Sequence, residues 1–146
     1  MAGADAQSRV PDPADPRTLE RCRVVEGERG PVWKLHADLL KLRREDPAFS
    51  AQSAALEGAV LDAEAFALRF SGPRGDDRLL LVNLGAQLEL PSLAEPLLAA
   101  PSGRRWSLLW SSEGARYGGG GAAAFDERRW LLPPECAFVL RPAERS

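Results

Sequence analysis

The sequence predicts a mainly β protein, an antiparallel β-sandwich preceded by one amphipathic helix. Three observations point there. From about residue 55 onward, apolar residues recur at period two in short segments such as "EAFALRF" and "CAFVL". Stretches rich in glycine and proline, such as "SGPRGDD" and "PSG", separate those segments. The one clear helical repeat lies ahead of them, and none falls between them.

Taken in order, residues 1–31 are rich in Pro, Gly, Asp and Arg. The "PDPADP" run favours extended backbone, because the residue before each proline is pushed away from helical angles. This segment is expected to be an extended arm or linker. "PVWKLHADLLKLRREDP" then predicts a helix over 32–46 that packs on the β-domain. Val32, Leu35, Leu39 and Leu42 fall on one helical face, Pro31 suits a first helical position and Pro47 stops further winding. Lys41, Arg43 and Arg44 sit in the last turns, where cations complement the helix dipole.

The β-sandwich domain is expected over 55–142, with about six to eight strands. "EAFALRF" aligns Phe66, Leu68 and Phe70 on one face. "RLLLVNL" is apolar on both faces and reads as a central strand, and "QLEL" alternates again. "RRWSLLW" aligns Trp106, Leu108 and Trp110, which predicts that both tryptophans face the core. "RRWLL" and "CAFVL" flank Pro133-Pro134, with Cys136, Phe138 and Leu140 on one face.

Composition narrows the function classes. The chain has 146 residues, 45% hydrophobic and 27% charged, which suits one soluble domain that needs no disulfide or metal to hold its core. With 19 Lys and Arg against 21 Asp and Glu, the net charge of −2 gives no case for nucleic acid or an anionic membrane. The arginine pairs Arg43-Arg44, Arg104-Arg105 and Arg128-Arg129 read as solvated surface. The start carries no apolar leader and no stretch is apolar enough to span a bilayer, so a cytoplasmic location is expected. Cys22 and Cys136 are expected to be reduced thiols, and neither a metal nor a cofactor is expected.

Few residues offer chemistry. His36 is the single histidine, and it reads as a packing or partly exposed helix residue. Without another histidine, a nucleophilic triad would have to use it, yet no serine or cysteine stands in a nucleophile motif. The acidic pairs Asp62 with Glu64, Asp76 with Asp77 and Asp126 with Glu127 all fall at expected turns, where solvated carboxylates are ordinary. "GGGG" at 118–121 lacks the Gly-Lys-Ser/Thr ending of a phosphate loop, and "RGD" at 74–76 reads as a chance turn. The remaining candidates are aromatic. Trp110, Arg116, Tyr117 and Trp130 form the candidate carbohydrate-binding set, with Trp33 a further stacking surface.

The ordered run of "LLKLRREDPAF", "GAVLDAEAFALRF", "RLLLVNLG", "RRWSLLWSSEGARYGGGG" and "LLPPECAFVL" resembles the C-terminal end of malto-oligosyltrehalose trehalohydrolase, of the α-amylase superfamily of glycoside hydrolases. The likeness runs from about Pro11 onward. It implies a Greek-key sandwich appended to a catalytic barrel, and a place in trehalose and carbohydrate metabolism. It also implies that the catalytic carboxylates belong to the barrel, so no catalytic residue carries over onto this chain. The function that follows is a non-catalytic packing, assembly or partner-docking module. Its expected partners are a second copy or a glycoside hydrolase barrel. The alternatives are an α-glucan-binding module, or a fragment of a trehalose-releasing hydrolase whose barrel is supplied elsewhere.

Overall fold

The structure, a computed structural model, describes residues 12, 14–23, 27, 29–51, 55–90, 95–120 and 130–145. Their strands are β1 (Leu56–Asp62), β2 (Ala65–Phe70), β3 (Arg78–Asn83), β4 (Leu88–Leu90), β5 (Arg104–Ser111), β6 (Trp130–Leu132) and β7 (Cys136–Glu144). All pairings are antiparallel. β1-β2-β3-β7-β5 form the larger sheet and β4-β6 the smaller one. The chain meanders through β1 to β3, then crosses twice through the small sheet, which brings β7 between β3 and β5. Among the described residues no helix is long and apolar enough to cross a membrane.

The core lies between the two sheets. Leu79 faces Leu140 and Leu81 faces Phe138 across the β3–β7 ladder, and all four are at most 1% exposed. Leu90, Trp130 and Leu132 cover them from the small sheet. Trp106 packs into the same cluster and donates its indole N–H to the Leu98 carbonyl at 2.8 Å, so its one polar atom is satisfied in the interior. Arg69 closes the edge of this layer. Its guanidinium donates to Asp77 Oδ2 twice, at 2.8 and 3.0 Å, and to the Leu97 and Ala99 carbonyls.

The larger sheet is apolar on its other face as well. Phe66, Leu68 and Phe70 do share a face, but it is opposite the sandwich core, where β2 contributes Ala65 and Ala67. Leu80, Val82 and Val139 continue this second face, which the helices cover only in part. That explains why "RLLLVNL" is apolar on both sides: β3 is sandwiched between two layers.

Trp106, Leu108 and Trp110 do not stay aligned. The register between β5 and β7 shifts after Leu108, so that Leu108 opposes Leu140 but Trp110 opposes Val139. Such a bulge inserts one residue and reverses the alternation beyond it. Trp106 and Leu108 therefore face the core, while Trp110 faces the helices.

The N-terminal part departs from an extended arm followed by one helix. Within the arm, Pro16–Arg21 form α1, because Asp15 accepts from the Arg17 N–H and Pro16 is preset for the first turn. The main helix, α2, spans Pro31–Glu45. Pro47 ends α2, with Asp46 before it extended, and also starts a further turn, α3, Pro47–Ser50. Asp46 caps that turn by accepting from the Ala48 N–H at 3.0 Å. Val32 shares the face of Leu35, Leu39 and Leu42 but stands in the first turn at 68% exposure, while the other three are half-buried.

Arg78, at the start of β3, ties the α2–α3 elbow to the sheet. Its Nε donates to Asp46 Oδ2 at 2.8 Å and its Nη1 to Asp76 Oδ1 at 2.8 Å, and Nη1 also reaches the Asp76 and Asp77 carbonyls. The Arg78 and Asp46 side chains are 8% and 9% exposed. Asp76 and Asp77 are thus structural partners of Arg78 and Arg69, and Asp77 is buried rather than solvated. The hydrogen bond from Arg78 holds the Asp76 carboxyl below the usual carboxylate range.

Asp46→Ala removes both a helix cap and one partner of a buried cation. It should loosen the helical layer by about 3 kcal/mol, read as helix signal lost at a urea concentration below the one at which the sheet unfolds. Burial also pushes the Cys136 thiol up to about 11, with the Glu113 charge adding to the effect. In native protein only the exposed Cys22 should react promptly with a thiol reagent at neutral pH, and Cys136 should follow only on unfolding.

Candidate functional site

Most of the aromatic set converges where α2 meets the loop after β5. Ala115–Tyr117 form a single 3-10 turn there, followed by Gly118 with φ of 86°. Gly118 takes a left-handed conformation that other residues resist. Gly119 runs so close to Glu113 that a Cβ would meet its backbone at 2.5 Å. Gly118 and Gly119 therefore serve a tight return of the chain, and Gly121 lies outside the described residues.

That return carries Tyr117 over Trp110. The two rings lie 6.0 Å apart, and the Trp110 indole donates to the Tyr117 hydroxyl at 3.1 Å. The hydroxyl donates in turn to Asp38 Oδ2 on α2 at 2.7 Å. Arg116 pairs with the same oxygen at 3.2 Å and stacks over the Tyr117 ring at 4.7 Å. Trp110, Arg116 and Tyr117 thus form a clasp around Asp38, a residue that no sequence pattern singles out. Burial raises the Tyr117 phenol above its ordinary value, and the bond to Asp38 raises it further.

Trp130 does not join them. It is 5% exposed on β6, in the sandwich core, where its ring presents no face to a sugar. Trp33 is 49% exposed on α2, with the Arg29 guanidinium over it at 4.8 Å. His36 is exposed and its Nδ1–H donates to the Val32 carbonyl. Asp62 and Glu64 are exposed at the β1–β2 turn, and Asp126 and Glu127 lie outside the described residues.

Two concave surfaces flank the clasp, with Trp110 in the wall of both. One is polar, about 540 Å³, and brings Asp38, Lys41, Glu45 and Arg116 beside Trp110. The other is apolar, about 450 Å³, between α2, α3 and the second face of the larger sheet. Leu42, Phe49, Phe70, Val82 and Val139 line it, and Phe49 meets Phe70 edge to face at 4.9 Å. Neither groove follows from the sequence pattern, because each depends on the bulge in β5 and on the angle of α2.

Comparison with known proteins gives one family. The sequence model of a family described as "Domain of unknown function (DUF3459)" matches residues 53–140, more than half of the chain. That domain is found at the C-terminus of α-amylase-family glycoside hydrolases. No curated protein matches the chain.

Tyr117 is the only tyrosine of the chain, so its ionisation can be followed by ultraviolet absorbance. A raised native pKa stabilises the fold fully below the ordinary phenol value, and that contribution is lost as pH rises through the native value. The native midpoint should lie above that of the unfolded chain. Asp38→Ala should bring it down and cost about 1 kcal/mol of stability.

Proposed function

Since the chain belongs to the DUF3459 family, whose members stand at the C-terminus of α-amylase-family glycoside hydrolases, we propose that it is a non-catalytic β-sandwich module that docks on a hydrolase catalytic domain. A trehalohydrolase is the finer reading of that partner. One observation carries the proposal: α2 is apolar on two sides. Leu35, Leu39 and Leu42 turn toward the sheet. Trp33 and Leu40 lie on the opposite arc at 49% and 55% exposure. A helix at a protein's outer surface normally has a charged outer arc, whereas one apolar on both sides fits between two layers. α2 precedes the matched residues 53–140 in the chain, as a catalytic region would. Covering the two side chains would contribute roughly 1.5–3 kcal/mol each.

The polar groove beside Trp110 favours a second reading, an α-glucan-binding module. Its lysine and arginine donors, carboxylate acceptors and indole wall match the needs of a sugar.

Mixed with an α-amylase-family catalytic domain lacking its own C-terminal domain, the chain should co-elute in gel filtration. Trp33→Asp with Leu40→Asp should weaken that association at least tenfold while leaving the melting curve of the isolated chain intact. Unchanged co-elution of the double variant would contradict the docking face. Incubated alone with maltooligosyl trehalose, the chain should release no trehalose. Heat on titration with millimolar maltoheptaose, abolished by Arg116→Ala, would favour the second reading instead.

A further inference from the structure

The apolar groove beneath α2 lies on the side of the helix facing the sheet, away from the proposed docking arc, and calls for its own occupant. Its volume of about 450 Å³ is walled by aliphatic and aromatic side chains from α2, α3, β2, β3, β5 and β7. Its walls offer water few polar partners. It also falls in the size range of sites for small molecules.

One charged residue lines it. Arg43 is exposed, yet its side chain forms part of the wall. Its aliphatic stem covers apolar surface while the guanidinium stays in water at the rim. Lys41 pairs with Glu45, Arg78 with Asp46 and Asp76, and Arg116 with Asp38, while Arg44 does not line the groove. Arg43 has no such partner among the described residues. An open apolar groove with an unpaired guanidinium at its mouth complements a single-chain amphiphilic carboxylate. The chain would lie between Leu42, Phe70, Val82 and Val139, and the carboxylate would meet Arg43, whose planar fork favours bidentate pairing.

We propose that this groove binds a free medium-chain fatty carboxylate. Calorimetry with decanoate and with 1-decanol, each below its aggregation limit, tests it on the whole chain. Both should bind wild type, decanoate at least fivefold more tightly. Arg43→Gln, on an exposed helical position, should erase that preference and leave decanol binding unchanged. Val82→Trp should fill the slot and remove both, with the melting curve showing that the variant is folded. Absence of heat with decanoate, or binding that survives both substitutions, would overturn the assignment. So would a dimer seen by light scattering that Val82→Trp disperses and decanoate does not affect, because a second copy would then be the occupant.

Discussion

Arg78 is the constraint on which the helical side of the molecule depends. A guanidinium taken almost wholly out of water at the start of a central strand must find acceptors there, because an unpaired charge in that position costs several kcal/mol. It finds Asp46 at the α2–α3 elbow and Asp76 in the β2–β3 turn, together with two carbonyls. The first of these partners fixes where one helix ends and the next begins. The same carboxylate that meets Arg78 through one oxygen caps α3 through the other. The seat of the elbow and the angle of the helix are thus set by one residue's electrostatics rather than by close packing of α2, none of whose residues is fully buried.

Loose packing on a well-anchored elbow has consequences. The two sheets enclose a dense core of leucines, Phe138, Trp106 and Trp130. The second face of the larger sheet meets the helices with a groove left between them. The Asp38–Tyr117–Trp110 clasp fastens the middle of α2, and the Arg78–Asp46 pair fastens its end. Between those points the helix bridges an apolar hollow, and its far arc carries more apolar side chains. An element held this way acts as a middle layer, which is the physical basis for reading the chain as a module that docks.

Much of the sheet was legible in the sequence. Period-two alternation located β2, β4, β5 and β7, a run apolar on both faces located β3, and the face shared by Cys136, Phe138 and Leu140 is the core face. β1 was harder to see, because an edge strand exposed along most of its length, with Gly58 in its middle, has little reason to alternate. Periodicity could group Phe66, Leu68 and Phe70 but not tell which side of a two-faced sheet they occupy. A bulge leaves no trace in alternation, so Trp110 was assigned to the core. Asp-Pro at 46–47 is a helix-start signal as well as a stop, and only the first meaning explains α3. Of the four aromatic-site candidates, three cluster around Asp38. Trp130 fell away because exposure is set by which layer covers a strand, a tertiary property that residue type does not encode.

The claim that Arg78 seats α2 through Asp46 is tested most directly by amide hydrogen exchange across residues 31–45, compared between wild type and Asp46→Ala. The account predicts that protection within α2 collapses in the variant while β3 and β7 keep theirs, since the sandwich core does not use Asp46. Protection of α2 that survives the substitution, or is lost only together with that of the core strands, would contradict it.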